Sequence, residues 1–196
     1  MKNKNSNKFR VFIFFIIIIM FIYKIIIMDL KKYISEIPDF PKQGINFKDM
    51  SPILENIEAL DFVINSFEIA NAWKIDKIVW LDARWFIFWS ILAYKMKIPF
   101  IMLRKKWKLP WECEEISYDL EYWSNTFEIQ KNAINPWEKI AIVDDLLATG
   151  WSAKAAIDLI EKLGWIVESL NFVIELEFLN WRVKFWDKKI ISLIKY

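Results

Sequence analysis

The chain contains no histidine, one cysteine and three glycines among its 196 residues. Without an imidazole, histidine acid-base chemistry and histidine-ligated zinc are excluded. The lone Cys113 permits no disulfide within the chain and points to a reducing compartment, with a cytoplasmic location expected. Neither sign of charge is in excess: a formal net charge of +2 makes no electrostatic case for nucleic acid and favours a small-molecule partner. A metal, if one is used, must be a hard cation on oxygen ligands, such as Mg²⁺. No internal repeat and no linker divide the chain.

The scarcity of glycine has a counterpart in twelve tryptophans. Trp73 follows a helical pattern and precedes a strand, Trp111 follows Pro110, Trp137 follows Pro136, and Trp165 follows Gly164 at a helix end. These are turn and helix-stop contexts, where glycine is expected. Glycine averages about 7% of a soluble chain, and moving every tryptophan into the glycine column restores roughly that share. A chain genuinely rich in tryptophan would place its indoles on apolar stripes, whereas several of these stand beside Pro, Asn, Gly or Lys. The expectation is that most or all are UGA codons which the source organism reads as glycine and which are rendered here as tryptophan.

What is present is concentrated in one run, Val143-Asp-Asp-Leu-Leu-Ala-Thr-Gly-Trp-Ser152. An apolar strand ends in two carboxylates and passes through a Thr-Gly loop into a helix read over Ala153 to Leu163. Unpaired backbone N–H groups and the positive end of a helix dipole make such a loop a phosphate cradle. Asp144 and Asp145 could hold sugar hydroxyls, or a metal between them. The run resembles the signature of the type I phosphoribosyltransferases, which bind 5-phosphoribosyl-1-pyrophosphate.

Strands alternate with helices along the rest of the chain, which indicates βαβ units and a parallel sheet. Asp29 to Glu36 reads as a short helix, and 37–52 as a proline-punctuated loop. Further helices are read over Glu55 to Ala72 and Phe86 to Met96. Strands are read over Ile75 to Leu81, Pro99 to Leu103, Lys139 to Asp145, Ile166 to Leu176 and Lys189 to Ile194. Arg104 to Ser117 is polar and aperiodic, as a functional loop or lid would be. Tyr118 to Tyr122 and Thr126 to Gln130 suggest a two-stranded excursion.

Residues 1–27 are read apart from 28–196. Lys2, Lys4, Lys8 and Arg10 precede an apolar run from Val11 to Tyr23, shorter than the roughly 20 residues a spanning helix needs. Literally this is signal-like or anchor-like. Its Lys, Asn, Ile and Phe are what AT-only codons give, and no small-residue cleavage site precedes Met28. Met28 is expected to be the true start, in which case no membrane partner is implied.

Outside the cradle, Ile37-Pro-Asp-Phe-Pro-Lys-Gln-Gly-Ile-Asn-Phe-Lys-Asp49 resembles the N-terminal hood of the adenine phosphoribosyltransferases. Asp82-Ala-Arg-Trp-Phe-Ile-Phe-Trp89 resembles that family's Ala-Arg-Gly-Phe-Ile-Phe-Gly, with Trp at both glycines. Arg104-Lys-Lys-Trp-Lys-Leu-Pro-Trp111, Leu120-Glu-Tyr-Trp123 and Ile174-Glu-Leu-Glu-Phe-Leu-Asn-Trp-Arg182 continue the match. In each motif the departure is Trp at a family glycine, which supports the recoding independently.

The resemblance implies a parallel-sheet core flanked by helices, a small N-terminal hood and a flexible catalytic loop. It implies transfer of the phosphoribosyl group to adenine, giving AMP and pyrophosphate in purine salvage. It places Asp144 and Asp145 on the ribose hydroxyls, and Ala148, Thr149, Gly150, Trp151 and Ser152 at the 5-phosphate. Arg84, Arg104, Lys105 and Lys108 are then the cations for pyrophosphate, with Mg²⁺ bound through pyrophosphate and water and no direct protein ligand. By themselves Lys105, Lys106 and Lys108 read equally as a solvated charge run. Glu121 is implied to handle the base proton, although alone it is an exposed strand carboxylate. Phe47 is implied to stack on adenine while the backbone of Asn46 and Lys48 reads its polar edge. A homodimer is expected. The alternatives are a transferase for another purine or pyrimidine base, a regulator that binds phosphoribosyl pyrophosphate without turning it over, and an inactive chain that truly carries tryptophan.

Overall fold

The computed structural model describes residues 28–72, 74–82, 86–119, 124–133, 135–185 and 187–196, with the backbone alone at 86, 119 and 124. The chain forms two compact units, the first ending at Phe62 and the second spanning Val63–Tyr196.

In the first unit Asp29 accepts the Lys31 N–H at 3.2 Å and caps a 3-10 turn, Leu30–Tyr33. Strands β1 (Ser35–Ile37) and β2 (Phe47–Asp49) pair antiparallel, with Glu36 opposite Lys48 and Ile37 opposite Phe47. The helix expected over Asp29 to Glu36 is therefore only its first half. Ser35 to Ile37 take the extended form because β2 offers them a ladder. Between the strands Gly44 has φ +86° and donates its N–H to Asp39 Oδ1 at 2.7 Å. The Asp49 carboxylate takes the N–H and O–H of Ser51 at the start of α1 (Ser51–Glu55), whose second residue is Pro52. Asn56 then caps α2 (Ile57–Asn71) through the N–H groups of Glu58 and Ala59.

The second unit is a seven-stranded sheet in the order β5-β6-β4-β3-β7-β8-β9. Its strands are β3 (Lys77–Leu81), β4 (Phe100–Lys105), β5 (Cys113–Asp119), β6 (Ser124–Gln130), β7 (Lys139–Leu147), β8 (Ile166–Glu175) and β9 (Lys189–Lys195). The five from β4 to β9 in that order run parallel, as expected, with α3 (Phe86–Met96) and α4 (Trp151–Lys162) as crossovers in the chain. β5 and β6 form an antiparallel hairpin on the β4 edge, making the sheet mixed. Val79, Leu103, Ile142, Leu159, Ile160 and Phe172 are fully shielded from solvent or nearly so and form the centre of the core. Each such side chain contributes roughly 1.5–3 kcal/mol by leaving water.

One expectation is corrected here. Arg104 to Ser117 is not a long irregular loop: Arg104 and Lys105 end β4, Cys113 to Ser117 lie in β5, and only the residues between them turn. The strand was hidden because its exposed positions are polar. It is held by the β6 ladder, by Ser117 and Thr126 sharing a hydrogen bond at 2.9 Å, and by Lys106 reaching Glu115 at 2.7 Å. Two ends also move: β7 continues to Leu147, and α4 begins at Trp151 rather than Ala153.

Four tryptophans bear on the glycine reading. Trp107, Trp111 and Trp137 have φ of +72°, +75° and +70°, a region that costs an L side chain about 1–2 kcal/mol. All three are at least 79% exposed, so no packing offsets the strain. Trp89 is fully buried in α3, and its indole N–H finds no acceptor among the described residues. Such an orphaned donor costs about 1–3 kcal/mol.

Candidate active site

The run Asp144 to Ser152 spans the end of β7, a turn and the first residues of α4. Asp144 is 6% exposed and accepts the Asp145 N–H at 2.9 Å. Burial, then the neighbouring charge of Asp145, pushes its carboxyl well above the ordinary carboxylate range. Two adjacent carboxyls at a strand end can exchange hydrogen bonds with sugar hydroxyls.

Gly150 occupies the N-cap of α4 with φ +70° and accepts the Lys154 N–H at 2.9 Å. Only glycine adopts this conformation without strain. Space excludes a side chain as well, since a Cβ would fall 2.6 Å from Cε3 of Trp181. Trp151, the first residue of the helix, meets Trp181 edge-on with ring centres 5.0 Å apart, and the Lys184 ammonium stands 4.1 Å from the Trp181 ring. The backbone thus has the form of a phosphate cradle, and two indoles crowd it. Trp181 is placed by its neighbour Arg182, whose guanidinium grips Glu175 at 2.9 and 2.6 Å from the end of β8.

Two of the cations expected at pyrophosphate, Arg104 and Lys108, meet at Asp82, immediately after β3. Lys108 Nζ lies 2.8 Å from its Oδ2, and the Lys105 N–H donates to the same oxygen at 3.0 Å. Arg104 Nε is 3.2 Å from Oδ1, close enough to pair in charge but off the direction of a hydrogen bond. Burial pushes the Asp82 carboxyl up, but the Lys108 hydrogen bond, the Lys105 N–H and the charges of Arg104 and Lys108 outweigh it and hold it below its ordinary value. The Lys105 side chain is exposed and makes no ion pair with a described residue. Tyr118 on β5 feels the charges of both Asp144 and Asp82, and burial before either pushes its phenol up to about 12. Asp82 and Asp144 therefore border one region.

In the first unit the side chains of Asn46 and Lys48 are both engaged by Glu36, at 2.8 Å each. The Lys48 and Asn46 hydrogen bonds hold the Glu36 carboxyl below its usual range. Phe47 meets Phe40 edge-on at 5.2 Å. Arg84 and Glu121, with the expected catalytic loop around Glu121, lie outside the described residues. Among the described residues no three His, Cys, Asp or Glu side chains cluster so as to hold a metal. No helix of the described residues is long and apolar enough to cross a membrane.

Sequence reasoning passed over Asp82, Tyr118, Glu128 and Arg182. Asp82 carried a usable signal, a carboxylate just beyond an apolar strand, where α/β sheets place ligand groups. The other three act through neighbours distant in the chain.

No model of a known family matches the chain. Adenine phosphoribosyltransferase of Carboxydothermus hydrogenoformans is 46% identical over 170 residues, covering 86% of this chain and all of that protein. The enzyme of the same name from Mesomycoplasma hyopneumoniae is 48% identical over 169 residues, 86% of this chain and 98% of its own length. Among solved structures, adenine phosphoribosyltransferase from Thermoanaerobacter pseudethanolicus is 44% identical with a TM-score of 0.81, covering 85% of this chain and 98% of that one. The Saccharomyces cerevisiae enzyme, solved with adenine and an imino-altritol bisphosphate, is 41% identical with a TM-score of 0.79, over 84% and 96% of the two chains. With a cradle at β7–α4, a mixed sheet of the same fold and identity running the length of its relatives, the chain belongs to the adenine phosphoribosyltransferases, glycosyltransferases of type I phosphoribosyltransferase fold.

Proposed function

We propose that this chain transfers the phosphoribosyl group of 5-phosphoribosyl-1-pyrophosphate to adenine, releasing pyrophosphate and AMP, and that its working form carries glycine at the tryptophan positions. The observation that carries the reading is the left-handed Gly150 at the start of α4, directly after the Asp144-Asp145 strand end.

In this transfer the anomeric C–O bond to pyrophosphate breaks while C1 joins N9 of the base. Positive charge develops on the sugar and negative charge on the leaving group, so a protein helps by placing opposite charges at each end. Asp144 and Asp145 serve the ribose, holding its hydroxyls beside the growing positive charge. The backbone of Ala148 to Ser152 takes the 5-phosphate. Arg84, Arg104, Lys105 and Lys108 take the pyrophosphate, where an Arg offers a planar fork and a Lys a point charge. Glu121 handles the proton of the base, and Phe47 stacks on it beside the Asn46 and Lys48 backbone. Those two side chains are already occupied by Glu36. Mg²⁺, which would be held by pyrophosphate and water with no direct protein ligand, would supply further neutralisation of the leaving group's charge. A cytoplasmic homodimer completes the proposal.

Calorimetry with phosphoribosyl pyrophosphate, followed by a nucleobase panel scored for pyrophosphate release, tests the reading. Uptake of phosphoribosyl pyrophosphate with release on adenine alone is expected. Release on hypoxanthine, xanthine or orotate instead would move the chain to a sister activity. Binding without release would make it a regulator.

A further inference from the structure

Glu128 lies on β6, on the antiparallel hairpin, and is 4% exposed although it is ionisable. It makes no ion pair among the described residues. Its carboxylate instead accepts three consecutive backbone N–H groups from the turn after β4: Trp107 at 3.2 Å on Oε2, and Lys108 and Leu109 at 2.7 Å each on Oε1. The ladder puts Glu128 opposite Arg104, so one residue fixes both ends of the segment bearing Arg104, Lys105 and Lys108. A turn of main chain wrapped round an anion is ordinarily a binding site for a ligand. Here the protein fills it with its own carboxylate.

We infer that Glu128 is a positioning residue for phosphoribosyl transfer, an internal anion that locks the 106–109 turn so that Lys105 and Lys108 meet the pyrophosphate in fixed geometry. The inference rests on the proposed activity and adds a residue to it. Two long lysine side chains lose considerable freedom when they engage an anion. If the main chain beneath them were also mobile, the pyrophosphate would have to order that too. Glu128 has already ordered it, and Asp82 holds Lys108 and the Lys105 N–H at the far side of the same turn. Glutamine cannot replace it, because its amide offers one oxygen where three donors converge, and its NH₂ would face N–H groups.

Two measurements on the full chain test this. In Glu128→Gln the KM for phosphoribosyl pyrophosphate is expected to rise about tenfold, while the KM for adenine and the affinity for AMP, which carries no pyrophosphate, stay within about twofold. Loss of AMP and phosphoribosyl-pyrophosphate affinity together would make Glu128 a fold residue only and overturn the inference, as would no change in either. Should the variant not fold, hydrogen exchange on the unsubstituted chain decides. The Lys108 and Leu109 amides are expected to exchange at least about a hundredfold slower than a solvent-exposed turn, and exchange at the free-turn rate would overturn the inference. Failure of the functional reading is separately visible, as an unsubstituted chain that takes up no phosphoribosyl pyrophosphate while these amides remain protected.

Discussion

The turn before α4 and the turn after β4 face the same foreign residue with different consequences. In the first, Trp151 and Trp181 meet edge-on across the Gly150 backbone. In the second, Trp107 and Trp111 are 87% and 85% exposed, and the Glu128 and Asp82 contacts form beside them. The first is a site made of main chain, and what it needs from nearby side chains is their absence. The second is made of charged side chains on a turn held from beneath, so an exposed indole costs it strain but leaves its geometry standing. One substitution type is thus an obstruction at one turn and a local cost at the other.

The sharpest break of that contrast is to restore glycine at the first turn. Trp151→Gly with Trp181→Gly should raise phosphoribosyl-pyrophosphate affinity about a hundredfold or more, the equivalent of about 2.7 kcal/mol. Isothermal titration of the two chains side by side reads it directly, and equal affinities would mean that the indoles leave the cradle open.

On the proposed reading both turns bind and neither moves a proton, so a change at Glu121 should spare what both turns do. Glu121→Gln is expected to cut turnover about a hundredfold while leaving phosphoribosyl-pyrophosphate affinity nearly intact. Undiminished turnover would remove Glu121 from the chemistry.

Asp144 distinguishes the regions by pH. Its folded carboxyl titrates above the unfolded one, so the folded state holds a proton that the unfolded chain has released. Stability is therefore full below the unfolded value and declines as pH rises through the folded one. Asp144→Asn should flatten that decline and raise the melting temperature at pH 7, while weakening phosphoribosyl-pyrophosphate binding about tenfold through the altered hydrogen bonding to the ribose hydroxyls. Melting curves between pH 4 and 8 would show the parent slope, and an unchanged slope would assign it to another group. Asp82 behaves oppositely, its pairing being present above the ordinary carboxylate range and lost as pH falls.

The smallest effect lies at the second turn. Trp107→Gly and Trp111→Gly should each stabilise by about 1–2 kcal/mol, the left-handed strain released, with ligand affinities unmoved. Denaturant midpoints measure this, and a loss of stability would mean that the exposed rings pack better than their accessibility implies.

The parallel core was legible because β3, β7 and β8 are apolar runs between helices of clear period. The cradle was legible because its chemistry is local: two carboxylates, a glycine and a helix start stand within one run of chain. Of β5 only the end was legible, in the excursion read from Tyr118; Cys113 to Ser117 set one apolar residue, Ile116, among polar and charged ones and so read as loop. Glu128 was invisible for a related reason. Its burial is set by a turn some twenty residues earlier, and nothing beside it in the chain announces three N–H groups converging from elsewhere. At Trp111 and Trp137, by contrast, the preceding prolines already implied a turn, and the backbone there has the left-handed form, as it has at Trp107.

Gly150 and Trp181 also bind two distant positions into a single steric constraint. While an indole occupies 181, any residue with a Cβ at 150 is rejected twice, by collision at 2.6 Å and by a φ of +70°. Once 181 is small, only the backbone objection survives, worth roughly 1 kcal/mol for a residue such as alanine. A mutational scan of 150 would therefore report different tolerances in the two backgrounds, an epistasis written entirely by shape.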